Sequence, residues 1–226
     1  MKSKQNIHSV RVKICLLVDF AVILMGILMM INYSPNCKKE IEATTENYIG
    51  DLAVAYGSTL DNQIKSSDGK TTSVLSADNL SLKLEGGGMK GIESSYVYVV
   101  SAGGSMLYHP NGSKIGKSVE NAVVKQICAD LSEGKKVESQ VVSYEYDGKI
   151  KYASVYISTY EEFVLVVTAD QEEIIAPVTK INRIGIIGLI VTTIVFLIFG
   201  YICASMIVKP IQHMTGFAMR LSEMDF

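Results

Sequence analysis

Eight side chains in the middle of this chain are of types that recognise small polar molecules: Tyr98, Tyr108, His109, Ser143, Tyr152, Ser154, Tyr156 and Asp170. Together they offer aromatic walls, hydroxyls, one imidazole and one carboxylate. A ligand pocket needs apolar surface with a few placed hydrogen-bonding groups. The same residues do not assemble a catalytic unit. A Ser-His-Asp relay would need His109 with Ser113 or Ser118 and an aspartate, and no spacing brings these together. Gly86-Gly87-Gly88 lacks the G-K-[ST] that completes a phosphate loop. Cys15, Cys37, Cys128 and Cys203 follow neither a metal-ligand spacing nor a disulfide framework. The net charge of −2 carries no nucleic-acid signal. We expect binding rather than catalysis, with no cofactor, no metal ion and no nucleic-acid partner. Two of the eight also have local roles open to them. His109 precedes Pro110 and could stiffen a turn. Asp170, with Glu173 three residues later, reads as the N-cap of a helix.

The elements that must position these residues are legible from periodicity. From about 35 to 64 apolar residues recur at helical spacing, and Ile41, Tyr48, Leu52, Ala55 or Tyr56, Thr59 and Gln63 form the expected buried stripe. Asp78 to Leu84 suggests a further turn or two of helix, before the Gly86–Gly88 break. From Ser94 the period falls to two. Tyr96–Ser101 and Ser105–His109 read as strands of a hairpin around Gly103-Gly104. Asn121–Leu131 returns to helix, and Gly134 ends it. Val137–Tyr146 and Lys149–Ile157 read as strands joined by Asp147-Gly148, a strong hairpin signal. Phe163–Ala169 makes a fifth strand, and a helix leads on from Asp170 past Pro177. The two-residue turn sets the register. Tyr146, Tyr144 and Val142 share a face with Lys149, Lys151, Ala153, Val155 and Ile157; Ser143, Tyr152, Val141, Ser154 and Tyr156 share the other. We expect the first face under the long helix and the second as the pocket.

Two apolar segments bracket this domain. Ile14–Ile31 has one charge, Asp19, and Ile184–Val208 has none. Roughly 20 apolar residues span a bilayer as a helix. Lys2, Lys4, Arg11 and Lys13 precede the first segment without an acidic residue, which holds that end in the cytoplasm. No A-x-A site follows, so the segment reads as an uncleaved anchor. The expected organisation is a cytoplasmic N-terminus (1–13), a first span (14–33), an extracellular domain (34–180), a second span (184–208) and a cytoplasmic segment (209–226). For Asp19 we expect snorkelling or a partner in a dimer interface.

The run Tyr96-Val97-Tyr98-Val99-Val100, then Met106-Leu107-Tyr108-His109-Pro110-Asn111, then Ile115-Gly116-Lys117-Ser118-Val119 resembles the Cache sensor domains, extracellular relatives of the PAS fold. Tyr146–Tyr152 and Val164–Asp170 look like later strands of that family. The tail, Lys209-Pro210-Ile211 with Met214, Ala218 and Leu221 at a/d spacing, resembles the first helix of a HAMP domain. Span, single Cache, span and HAMP make up the front of a methyl-accepting chemotaxis receptor. The resemblance implies an α+β fold with a five-stranded antiparallel sheet and a long N-terminal helix. It also implies a small extracellular ligand, a bacterial plasma-membrane location, a parallel homodimer, and a cytoplasmic chemotaxis kinase and adaptor reached through a further C-terminal part. The alternative is the input half of a sensor histidine kinase or diguanylate cyclase. The chain departs from the amino-acid-binding members in having no tryptophan. Its arginines, Arg11, Arg183 and Arg220, all lie outside the sensor domain, which excludes an arginine clamp there.

Overall fold

The structure is a computed structural model that describes residues 2–67 and 70–222; within the terminal helices the side chains of 2–11, 14, 207–209, 211–213 and 215–222 are not described. The chain divides into two compact units, 38–177 and the pair of segments 1–37 and 178–226.

The first unit holds most of the fold. Its sheet has five antiparallel strands: β1 (Tyr96–Ser101), β2 (Met106–Tyr108), β3 (Gln140–Tyr146), β4 (Lys149–Ile157) and β5 (Phe163–Asp170), in the order β2-β1-β5-β4-β3. The hairpin register is as expected, with Tyr146 opposite Lys149, Tyr144 opposite Lys151 and Ser143 opposite Tyr152. Asp147 and Gly148 take φ of 54° and 73°, the two positive values that a type I′ turn requires. The β1–β5 pairing, Tyr96 opposite Thr168 through Ser101 opposite Phe163, places two strands far apart in sequence side by side at the centre. Both are almost wholly buried, which explains their continuous β-branched character. The class is α+β, with a long N-terminal helix.

That helix, α1 (Lys2–Ser66), packs on one sheet face. The core between them contains Ile49, Ala53, Leu60 and Ile64 of α1, with α2 (Thr71–Val74) and α3 (Ala77–Leu84) at its end. The buried stripe matches the expected one in part: Ile41, Leu52 and Tyr56 pack against this core, but its fully buried positions are others. Thr45, Ile49, Ala53, Leu60, Asp61 and Ile64 are buried, whereas Tyr48, Ala55 and Thr59 are exposed. Small residues set this phase. At Gly57 an added Cβ would meet the Tyr156 ring, so only glycine lets that ring lie against the helix.

The choice of sheet face is also the reverse of the expectation. Tyr152 and Tyr156 lie in the core under α1, with Val97, Val99, Tyr108, Leu165 and Val167. The opposite face packs Tyr98, Val100, Met106, Ala153, Val155 and Val166 against Val124, Ile127, Cys128 and Leu131 of α4 (Ala122–Ser132). The reason is polar as well as apolar. α1 offers carboxylates to the tyrosine hydroxyls: Tyr152 Oη donates to Glu42 at 3.0 Å and Tyr156 Oη to Asp61 at 2.8 Å. Asp61 also accepts from Ser158 Oγ and from the Thr159 N–H and hydroxyl, at 2.7–2.8 Å. A buried tyrosine keeps its ring in the core when its hydroxyl finds a partner.

The last helix, α5 (Gln171–Ser222), begins where β5 ends. Its first turn is not held by the expected capping box. The Asp170 carboxylate turns to Lys149 at 2.9 Å and to Lys151. Glu173 accepts instead from the backbone N–H groups of Glu93 and Ser94, at 2.7 and 2.8 Å. Ser94 Oγ accepts the Asp170 N–H at 3.0 Å, so the chain entering β1 clamps the start of α5.

In the second unit two helical segments lie side by side. Asn182 Nδ2 donates to Ser34 Oγ at 2.7 Å, and a Cβ on Gly200 would stand 3.6 Å from Cys15 Sγ. Among the described residues two helices are long and apolar enough to cross a membrane, within Cys15–Ser66 and Gln171–Met206. Leu17, Phe20, Met25, Ile184, Ile198 and Phe199 leave their apolar side chains exposed, as a lipid-facing surface does. Asp19 does not snorkel: it is 5% exposed, and neither carboxylate oxygen has a partner among the described residues. Met214 is exposed, and the heptad positions Ile211, Ala218 and Leu221 fall outside the described side chains.

Candidate functional site

On the sheet face away from α1, β-strand alternation brings Tyr96 and Tyr98 of β1 beside Tyr144 and Tyr146 of β3. The connection from β2 to α4 folds over this patch and supplies His109, Lys114, Glu120 and Asn121, with Met106 and Val119 as apolar lining. The result is a cleft with a free volume of about 30 Å³, room for a water or two.

Each polar group in the cleft is held by a local device. His109 Nδ1 accepts the Asn111 N–H at 2.9 Å, so the neutral ring carries its proton on Nε2. The ring lies 5.1 Å from Tyr96 and 5.9 Å from Tyr98, centroid to centroid. Burial, helped by the Lys114 cation, pushes the His109 pKa below its ordinary value. Asn111 accepts in turn from the Ser113 N–H and starts the short 3-10 turn Gly112–Lys114, which aims Lys114 inward. Asn121 is the N-cap of α4. Its Oδ1 accepts from the N–H groups of Val123 and Val124, at 2.8 and 3.2 Å. Its Nδ2 is buried and has no partner among the described residues, and the residue itself lines the cleft. An unmet donor of this kind costs free energy comparable to a lost hydrogen bond, unless a ligand or water accepts from it.

Three residues meet where the cleft faces solvent. Glu120 Oε2 accepts from Tyr146 Oη at 2.7 Å and from Lys114 Nζ at 2.9 Å. Lys114 Nζ also donates to Tyr146 Oη at 2.6 Å and lies 5.0 Å from that ring's centroid. The hydrogen bonds from Tyr146 and then Lys114 hold the Glu120 carboxyl below the usual range. The same bonds, Tyr146 first and Glu120 next, raise the Lys114 ammonium. At the inner edge Lys151 Nζ stands 5.4 Å from the Tyr96 centroid. Burial pushes the Asp170 carboxyl up, but hydrogen bonds from Lys151 and Lys149 outweigh it and hold the group low. Burial also drives Tyr96 up to about 12 and Tyr98 well above its ordinary value, so both keep their protons.

Of the eight residues singled out in the sequence, the structure places Tyr98 and His109 in this cleft, and Asp170 at its edge through Lys151. Tyr108, Tyr152 and Tyr156 lie on the α1 side, Ser154 is buried, and Ser143 is exposed. The residues missed were Tyr96, Lys114, Glu120, Asn121, Tyr144 and Tyr146. The two β3 tyrosines were already on one face by register. Asn121 was read only as the first residue of a helical stretch, and neither its cap nor its buried Nδ2 was foreseen. The chemistry on offer is donor-rich: an orphan amide N–H, an imidazole N–H, tyrosine hydroxyls and two ammonium groups, on aromatic walls. No group of three or more His, Cys, Asp or Glu among the described residues could hold a metal ion.

No protein-family model matches this chain, and no curated protein does. Solved structures do. The ligand-binding domain of Mlp24 with asparagine aligns at 15% identity and a TM-score of 0.33, over 45% of this chain and 38% of that one. A Cache chemosensory domain that recognises carboxylic acids aligns at 12% and 0.42, over 58% and 95%. The periplasmic sensory domain of the Campylobacter jejuni chemoreceptor Tlp1 aligns at 22% and 0.35, over 44% and 36%. The chain spans little more than a third of the Mlp24 and Tlp1 domains.

Proposed function

We propose that this chain is the sensory front of a transmembrane chemoreceptor. The cleft bounded by Tyr96, Tyr98, His109, Asn121 and Tyr144 binds a small metabolite carrying a carboxylate. α5 conveys its occupancy through the second span to a HAMP-like segment, and from there to a chemotaxis kinase and adaptor in the cytoplasm. The receptor works as a parallel homodimer in a bacterial plasma membrane. The Cache-like motif around Tyr96–Val119 and the apolar helices support this reading. So does the exposed row Tyr48, Ala55 and Thr59 on α1, which leaves a helix face open to a second copy.

The single observation that carries the ligand reading is Asn121 Nδ2, a buried donor with no partner among the described residues, in a cleft already lined by donors. A carboxylate or carbonyl oxygen meets that need; a cation does not. The test is Asn121→Asp in the full chain, held in phospholipid nanodiscs and titrated calorimetrically with small carboxylates. Aspartate caps a helix as well as asparagine does, so α4 survives, while the donor becomes an anion. Binding should weaken by about 2 kcal/mol or more. Full affinity in this variant would place the site elsewhere.

A further inference from the structure

The mouth of the cleft contains more than a barrier. Glu120 Oε2 is where two donors of the site converge, the Tyr146 hydroxyl and the Lys114 ammonium. Its own side chain is 60% exposed, so neither burial nor apolar packing obliges it to be there. It is followed in the chain by Asn121, which lines the same cleft and whose buried Nδ2 has no partner among the described residues. Glu120 is one of the residues that line this cleft, whose free volume is about 30 Å³.

The backbone cannot supply the opening cheaply. Gly116 N–H donates to Met106 O and Met106 N–H to Lys117 O, each at 2.8 Å, and Val119 N–H donates to Gly104 O at 2.9 Å. The segment between Lys114 and Glu120 is therefore laced to the start of β2, and admission of a ligand falls to the side chains. Among them Glu120 is the one that can leave without stranding a buried charge, because its carboxylate returns to water. Lys114 and Tyr146 would then keep a carboxylate partner if the incoming molecule brings one.

We propose that Glu120 is a built-in competitor: its carboxylate occupies the anion position of the cleft, and a ligand binds by exchanging its own carboxylate for it. This rests on the carboxylate reading of the site. The exchange conserves one anion on the same two donors, so it selects against uncharged analogues, which would leave Lys114 without a counter-charge. It also weakens affinity by making every ligand displace an intramolecular rival already at high effective concentration. The receptor's working range is thereby set by a residue outside the pocket wall.

Acetate, which is the terminal carboxylate and methylene of Glu120 freed from the chain, is the probe. The full chain in phospholipid nanodiscs is titrated with acetate at constant ionic strength, and the shift in melting temperature reads the affinity; acetamide is the uncharged control. Glu120→Ala should bind acetate roughly tenfold tighter than the parent protein. Glu120→Gln, which keeps the shape and removes the charge, should also gain. The gain should be absent for acetamide and lost in Glu120→Ala with Tyr146→Phe. If acetate binds both proteins with equal affinity and Asn121→Asp abolishes that binding, the competitor idea is overturned and the cleft stands. If acetate protects neither protein, the carboxylate reading falls and takes the competitor with it.

Discussion

The imidazole of His109 accepts the Asn111 N–H through Nδ1 and faces Tyr96 and Tyr98 with its ring. Both readings open to it in the sequence, turn stiffener and cleft donor, are compatible with this one geometry. Protonation of Nδ1 would break the turn, since an imidazolium has no lone pair to offer. The folded pKa is depressed by burial and by Lys114, so the fold favours the neutral ring. The contribution is full above the unfolded value of about 6.5, declines as pH falls from there, and is gone below the folded value. We expect the His109 ring signals in an NMR titration to move with a midpoint below about 6.5, and hydrogen exchange at the Asn111 amide to speed up over the same interval. An Asn111 amide whose protection ignores that titration would separate His109 from the turn. At this scale the sequence was half legible. Alternation told which residues share a face, because the pleat fixes it. It did not tell which face α1 covers, because Tyr152 and Tyr156 look like pocket residues until Glu42 and Asp61 are found waiting for their hydroxyls.

Elements with local causes were the readable ones. The β3–β4 register follows from Asp147-Gly148 alone, and α4 follows from Asn121 and its apolar spacing. The central β1–β5 pairing has no local signature, since two buried strands attract each other only through the completed core. The phase of α1 was read only in part, with Ile41, Leu52 and Tyr56 placed and Ile49, Ala53 and Leu60 not, for a related reason: the stripe is set by what fits against the sheet, and the tightest point is a glycine. Gly57 admits the Tyr156 ring, and Tyr156 Oη then reaches Asp61 one turn further on. Gly57→Ala would ordinarily favour a helix by nearly 1 kcal/mol. Here the new methyl meets an aromatic ring that cannot retreat without abandoning a buried carboxylate. Overpacking of this kind costs about 1–3 kcal/mol, so we expect net destabilisation in denaturant unfolding of the full chain. Restoring space with Tyr156→Leu alongside Gly57→Ala should relieve the clash but not the loss at Asp61. A Gly57→Ala protein as stable as its parent would show that the ring contact does not fix the helix phase.

For the whole molecule, the question is how, in the proposed receptor, occupancy of the cleft would reach the far end of α5. Two sets of contacts connect the cleft to the start of α5. Lys151 Nζ lies over the Tyr96 ring, 5.4 Å from its centroid, and pairs with Asp170, the residue before α5, while Ser94 and Glu173 tie the entry to β1 to the first turn of that helix. A ligand that moves Tyr96 or Lys151 therefore acts on the start of α5. From Gln171 to Ser222 that helix has no break in its secondary structure. Packed elements switch between discrete arrangements, so a small shift at one end survives only along a stiff connection. Gly-Gly inserted between Lys180 and Ile184 adds two residues of the weakest helix former short of proline, each less favourable than alanine by about 1 kcal/mol, and rotates everything beyond by about 200°. In a fusion of this chain to a chemoreceptor output domain, ligand-dependent output should disappear. Affinity should change by no more than about twofold, the limit set by reciprocity: a site that no longer drives the output is no longer driven by it. An inserted protein that still answers its ligand would exclude α5 as the conduit. The signal would then have to travel through α1, and Asp19, buried and without a partner among the described residues, would be the place to cut next.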